Sequence, residues 1–299
     1  MLSRYLTPGL ALAGRLIALL LCTTTLASAA DVLRYPRAPA GEEYRQTYAL
    51  AQLQLALDKA DSPLRLEPSE FAMEQERALL SLEEGRAVDV VWTMTSVERE
   101  RRLLPVRIGI DKGLFGWRVA LLRQDRPDLL REVRNLADLQ SLRAGQGHDW
   151  PDTDILRWQG LPVVVTASYD SLFRMLAAGR FDYFPRSVLE AWDEVQHNPQ
   201  AGAVIDPHLV LRYPTACYFF FSPRNPQLAA TVRRGMEKAL ADGSFDRLFL
   251  QHYGPLLRQA RLDQRQLIEL HNPLLPAATP LQRKALWFSR DDLRALPRP

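Results

Sequence analysis

Apolar and polar positions along this chain change period several times, and the changes mark out its elements. Val32 to Tyr35 is a short apolar run of strand length, whereas Glu42 to Lys59 carries Tyr48, Leu50, Leu53, Leu55 and Leu57 at helical spacing. Leu64 to Leu66 resumes a strand and Met73 to Glu84 a helix, which Gly85 ends. Val88 to Met94 is β-branched and apolar on both faces, as a buried strand should be. This β-α-β-α-β alternation predicts a parallel sheet with helices on both faces.

The pattern changes after Arg99. Gly109 to Gly116 is glycine-rich and Trp117 to Leu122 is one continuous apolar strand, a plausible crossing into a second lobe. That lobe repeats the alternation: a helix near Asp138 to Leu142, a turn at Gly145–Gly147, a helix from Pro151 to Gln159, a strand Val163 to Thr166, a helix Tyr169 to Ala178 closed by Gly179, and a strand Phe181 to Phe184. Ser187-Val188-Leu189-Glu190 has capping-box spacing at the start of a helix running through Val195. Val210 to Phe221 returns the chain to the first lobe, followed by helices Gln227 to Ala241 and Ser244 to His252. From Pro255 a proline- and arginine-rich tail, with a helical segment at Asp263 to Leu270, packs on a lobe. The expected architecture is α/β: two doubly wound lobes joined by two hinge strands, with residues 1–29 as a leader, 30–118 and 217–299 as lobe 1, and 119–216 as lobe 2. A cleft then opens at the carboxyl ends of the strands, where open α/β sheets bind ligands.

The leader reading rests on Arg4 and Arg15 before the apolar run Leu16 to Leu21, and on the small-residue pattern Ala27-Ser28-Ala29. This is the form of a cleaved secretory signal and implies the periplasm. The apolar run is well short of the roughly 20 residues that span a bilayer, and no later segment qualifies. Cys22 follows Leu21, where a lipid-modification signal wants a small residue. Losing the leader leaves Cys217 alone, so no intrachain disulfide is possible. Of 38 basic residues two lie in the leader, leaving 36 against 35 acids, a balance that argues against nucleic acid as a partner.

The most informative stretch couples the strand ending near Trp92 to a polar turn. Thr95 and Ser96 can cap the next helix, and Arg99 adds a planar fork suited to a carboxylate. Leu82 to Asp89 followed by Ser96-Val97-Glu98-Arg99 is similar to the L-x-x-G-x-x-D and T-x-x-R motifs of the extracytoplasmic solute-binding protein family 3, the amino-acid-binding type of periplasmic receptor. Asp242-Gly243-Ser244-Phe245-Asp246, then Tyr253-Gly254, resembles its late D-G-(S/T)-(F/Y)-D signature, and Leu176 to Asp182 resembles its second-lobe helix-to-strand junction. The resemblance covers most of the mature chain. It implies a two-lobed fold of periplasmic binding protein type II and gives Arg99 the ligand α-carboxylate. Where the family commonly places an acid for the α-amino group, Tyr183 to Ser187 stands instead, and Tyr183 and Arg186 become candidate contacts. Tyr35, Arg37 and Tyr44 substitute for the aromatic segment that often covers the ligand. The implied ligand is small and acidic, amino-acid-like or another carboxylate, and the implied partner is an ABC-type permease or a membrane sensor, with the receptor itself a monomer.

Gln146 to Thr153 is the densest cluster of functional side chains. Trp150 offers an apolar wall, His148, Asp149 and Asp152 polar groups, and Thr153 a hydroxyl near a helix N-terminus, while Gly145 and Gly147 allow close approach. The same residues suit plain helix capping, with Pro151 at the first helical position. One histidine and two acids fall short of a characteristic metal set, so no metal is expected, and no cofactor either. No G-x-S-x-G elbow or phosphate loop is present. A binding module is therefore expected rather than an enzyme; the alternatives are a dehydratase-like enzyme on the same scaffold, with His148, Asp149 or Asp152 as acid or base, and an accessory factor that binds nothing.

Overall fold

The computed structural model describes residues 32–294; the expected leader, Cys22 included, lies outside the described residues. β1 (Val32–Arg37) passes through a single 3-10 turn at Glu43–Gln46 into α1 (Thr47–Lys59), β2 (Arg65–Ala72), α2 (Gln75–Glu83), β3 (Val90–Met94), α3 (Val97–Arg102) and β4 (Leu104–Val106). β5 (Trp117–Arg123) carries the chain into the other lobe, which holds α4 (Leu136–Leu139), β6 (Ala144–Gly147), α5 (Pro151–Trp158), β7 (Val163–Thr166), α6 (Tyr169–Ala177), β8 (Phe184–Ser187), α7 (Ala191–His197), β9 (Ala203–Ile205) and β10 (Leu209–Arg212). β11 (Cys217–Phe221) returns, followed by α8 (Pro226–Ala241), α9 (Ser244–Ala260), β12 (Gln266–Glu269) and α10 (Arg290–Arg294).

The two-lobed α/β architecture expected from the alternation is what forms. Its first-lobe strands fall into two small sheets and are less parallel than the alternation implied. β1 and β2 pair in parallel, but β3 takes β11 as an antiparallel partner, Cys217 opposite Met94 and Phe221 opposite Val90, and β4 lies on the other side of β11. β11 is buried along its whole length, so its continuous apolar run Cys217 to Phe221 serves both faces of a central strand. α8 packs on α1 so closely that a Cβ at Gly235 would meet the Ala56 carbonyl oxygen at 1.7 Å.

The same device closes a corner in each lobe. α2 ends in Gly85 at φ 68°, with Gly85 N–H donating to Leu82 O and Arg86 N–H to Ser81 O. α6 ends in Gly179 at φ 66°, with Gly179 N–H donating to Leu176 O and Arg180 N–H to Met175 O. Both are Schellman caps, which need the left-handed conformation that glycine adopts freely. An aspartate then clamps the strand entered earlier: Asp89 exchanges hydrogen bonds with the Arg34 backbone, and Asp182 does the same with Arg143, each carboxylate accepting the arginine N–H at 2.8 Å.

β5 is the hub of the second sheet, pairing with β8, β9 and β10. Three expectations change here. The segment Asp263 to Leu270 is not helical; its middle forms β12, parallel to β10, and so joins the second-lobe sheet, although the tail was assigned to lobe 1. Its helical look came from Leu267 and Leu270 three apart, whereas its buried apolar residues, Ile268 and Leu270, stand at strand spacing. α9 continues through Pro255 to Ala260, because Leu257 and Ala260 extend the buried face that Phe249 begins. The Ser187–Glu190 segment is a turn in which Ser187 Oγ accepts from Leu189 N–H, and α7 starts only at Ala191.

Candidate functional site

A cleft of about 1100 Å³ lies between the lobes. Its first-lobe wall follows from how β3 ends. Ser96 caps α3 by accepting Arg99 N–H at 3.2 Å, which turns the Arg99 side chain back along β3. Nη1 of Arg99 donates to Met94 O at 2.8 Å and to Thr93 Oγ1 at 2.9 Å, and Thr93 Oγ1 in turn donates to Gln75 Oε1 at 2.8 Å. Arg99 as a whole is 6% exposed, yet no carboxylate among the described residues lies within ion-pair distance and its Nε–Nη2 edge makes no hydrogen bond to them. Burial lowers its pKa from the usual arginine value, and Glu76, Glu98 and Asp149 offset this only from a distance. It stays charged.

The second-lobe wall is rich in arginine too, but there each arginine is met by a carboxylate. Arg186 donates to Glu194 from Nε at 2.7 Å and from Nη2 at 2.6 Å, and to Glu190 at 3.0 Å. Burial opposes its charge, and Glu190 and Glu194 outweigh that and raise its pKa; Glu194, equally buried, is held below the ordinary carboxylate value by Arg186 and Arg45. Arg118, on the crossing strand β5, contacts Asp152 at 2.6 Å, and Tyr213 donates a hydroxyl proton to the same carboxylate. Glu190 lies 3.8 Å from Arg118 and 3.9 Å from Arg45, which the Glu43–Gln46 turn carries over from the first lobe. Arg45 also sits 4.8 Å from the Tyr169 ring centroid, and Tyr44 stacks on His197 at 4.1 Å. Three arginines thus balance three carboxylates, and the network draws the lobes together at this end of the cleft.

Of the residues singled out in the sequence, Trp92, Arg99, His148, Asp149, Trp150, Asp152 and Arg186 line the cleft. Ser96 faces an adjoining hollow of about 450 Å³, which also reaches Arg99. Tyr44 lines the cleft as well, whereas Arg37 and four others line neither space. Thr95 is fully buried and donates to Glu100, Thr153 donates to Gly147 O, Tyr183 is inside the second-lobe core, and Tyr35 packs against Trp92 with centroids 6.2 Å apart. Arg186 was expected to offer a second positive charge, but Glu190 and Glu194 take that charge up. Trp150 was expected as an open wall, but Gly147 packs on its ring, where a Cβ would come within 2.5 Å, and Arg186 stacks 4.6 Å from its centroid. Gly145 likewise makes room for Phe181, not for a ligand. The α3 N-terminus is partly used as well, since Val97 N–H donates to Leu274 O at 3.1 Å.

Sequence reasoning missed Thr93, Arg45, Arg118, Asp111, Glu190 and Glu194, all on the cleft wall. Only the last two carried a signal, the four-residue spacing Arg186, Glu190, Glu194. Asp111, fully covered, accepts N–H bonds from Phe115 at 2.7 Å and Gly113 at 3.3 Å; burial outweighs them and pushes its pKa up to about 6. Asp152, tied to Arg118 and Tyr213, is not placed as a free acid or base. Among the described residues no group of three or more His, Cys, Asp or Glu side chains is disposed to hold a metal, and no helix is long and apolar enough to cross a membrane.

No protein-family model matches this chain and no curated protein matches it in sequence. Solved structures match in shape. The VFT2 domain of Bordetella pertussis BvgS superposes with a TM-score of 0.57 at 16% identity, covering 74% of this chain and 92% of its own. An ancestral arginine-binding protein bound to glutamine gives 0.54 at 16%, covering 75% and 98%. A histidine kinase sensor domain with similarity to periplasmic binding proteins gives 0.54 at 17%, covering 76% and 96%. The fold is therefore that of the two-lobed periplasmic binding proteins, as the resemblance implied.

Proposed function

We propose that this chain is an extracytoplasmic solute-binding receptor whose cleft captures a small anionic ligand through Arg99. The carrying observation is the charge arrangement: Arg45, Arg118 and Arg186 are matched by protein carboxylates, whereas Arg99 is buried on the cleft wall with none. A buried guanidinium with an unused edge is completed by a ligand carboxylate, which it would hold by two parallel charge-assisted hydrogen bonds. Asp152, Glu190 and Glu194 across the cleft are engaged by arginine, but Asp149, Asp170 and Asp193 on the same wall are not, so the cleft leaves an acid to meet a ligand amine beside the carboxylate that Arg99 takes. The likeness to amino-acid-binding proteins and to a sensor domain supports the class of receptor. The leader would deliver it to the periplasm, where an ABC-type permease or a sensor protein receives the loaded form.

The test is a thermal-shift screen of residues 30–299 against amino acids, dicarboxylates, sulfonates, short peptides and aromatic acids. A ligand at 100 times its Kd raises stability by about 2.7 kcal/mol, enough to shift the midpoint visibly. Arg99→Ala should weaken the best hit by about 2–5 kcal/mol, while its ligand-free melting point should not fall. A hit that binds this variant undiminished removes Arg99 from the role, and a compound consumed on incubation would make the protein an enzyme.

A further inference from the structure

The tail after α9 does not end on one lobe. Residues 265–271 ride on the second: β12 extends its sheet beside β10, the buried Arg265 donates from Nη1 to Asp206 O, and Gln266 Nε2 donates to Arg134 O at 2.9 Å. Gln159 Nε2, from the end of α5, donates to His271 O at 2.7 Å. Within a few residues the chain changes lobe. Asn272 Nδ2 donates to Pro214 O at 2.9 Å beside the return crossing, and Leu274 O accepts Val97 N–H at the start of α3. Residues 283–288 then sit on the first lobe. Arg283 grips Glu237 of α8 with two bonds of 2.7 and 2.5 Å, Leu286 is buried in the core formed by β4, β11 and α8, and Phe288 N–H donates to Lys112 O at 2.7 Å.

A hinge built from two crossing strands opens by small changes in those strands alone. Here the tail adds two more covalent links between the lobes, one from α9 into β12 and one from β12 to residues 283–288, the second anchored at both ends by buried side chains and paired backbone. Pro273 and Leu274 also wall the hollow next to Ser96, Arg99, His148 and Asp149, so the link passes the cleft at its anion-binding end. We propose that residues 266–288 are an interlobe brace that holds the lobes near one angle and thereby fixes the width of the cleft at Arg99, selecting ligands by size. The idea does not depend on the ligand being anionic.

Two variants test it on the otherwise intact chain without ligand. Spin labels on Gln54→Cys in α1 and Ala177→Cys in α6, both exposed, report the interlobe distance by pulsed electron resonance, the native Cys217 being buried. The first variant carries a protease recognition sequence between the exposed Ala277 and Ala278 together with Arg290→Ala, which removes the bond from Arg290 to Arg265 O, so that cutting breaks the link from β12 to residues 283–288 while the connection from α9 to β12 stays. The second is Val97→Pro: Val97 is the first residue of α3, where proline is tolerated, and Ser96 before it is already extended at φ −150°, so the change removes only the N–H given to Leu274. The uncut parent should give one narrow distance distribution, cutting should broaden it by about twofold or more, and Val97→Pro should broaden it less. A parent distribution that is already broad, or one left unchanged by both variants, overturns the brace; should the cut protein unfold, Val97→Pro decides alone.

Discussion

Arg99 holds a buried positive charge without a counter-ion among the described residues, and such a charge works against the fold that carries it. The second-lobe arginines show what the fold does when a charge is structural: Arg186 is given Glu190 and Glu194. Leaving Arg99 alone among its neighbours is the mark of a group waiting for something from outside. Its place was legible because strand, cap and arginine follow one another within ten residues. The status of Arg186 was not, because the carboxylate that holds it most tightly is supplied eight residues on, by a helix whose start the local capping pattern misplaces. Asp111 makes a separate prediction. Its folded-state pKa of about 6 lies above the ordinary 3.8, so the folded protein holds this proton more tightly than the unfolded chain. That contribution to stability is complete below the unfolded value and is lost as pH rises through 6, amounting to at most about 3 kcal/mol. Carbon-13 titration of the Asp111 carboxyl should have its midpoint near pH 6, and Asp111→Asn should lose less stability than the parent as pH is raised from about 4 to 7. A midpoint under 4 would contradict it.

Among the elements, the contact of α1 with α8 sets the tightest tolerance. Alanine at position 235 would gain about 1 kcal/mol of helix propensity over glycine, but its Cβ would land on the Ala56 carbonyl, and neither helix backbone can retreat without disturbing the core beneath it. Gly235→Ala should therefore cost a net 2 kcal/mol or so, read as a lowered urea midpoint at unchanged slope. Nothing in the sequence marks Gly235 as special, since the residue that makes it so lies 179 positions earlier. The long helices and buried strands were legible from period alone. β12 was not: four residues carry too little pattern to separate strand from helix, and what makes them a strand is β10, already in place beside them.

At the scale of the molecule, two lobes and a cleft could be read from the doubled β-α alternation, and glycine-then-aspartate corners in both halves pointed the same way. What joins the lobes could not. The Tyr44–His197 stack, the Arg45–Glu190–Arg118 network and the tail across the hinge all pair residues with no sequence relation. The return of β11 also divides the first lobe between the two ends of the chain, while the second is nearly continuous. A chain that emerges from its N-terminus can therefore assemble β5 to β10 while β3 still lacks the partner strand that lies beside it in the finished sheet. Domains form as units in the order their parts become available. Pulse-labelling hydrogen exchange during refolding should find amides of β6 and β7 protected no later than those of β3; protection of β3 first would contradict this order. The late strand is apolar and buried along its whole length, so until Cys217 to Phe221 arrives, the half-built lobe presents the bare edge of β3 to its surroundings, and it is at that stage, not in the finished protein, that this chain has most need of a chaperone.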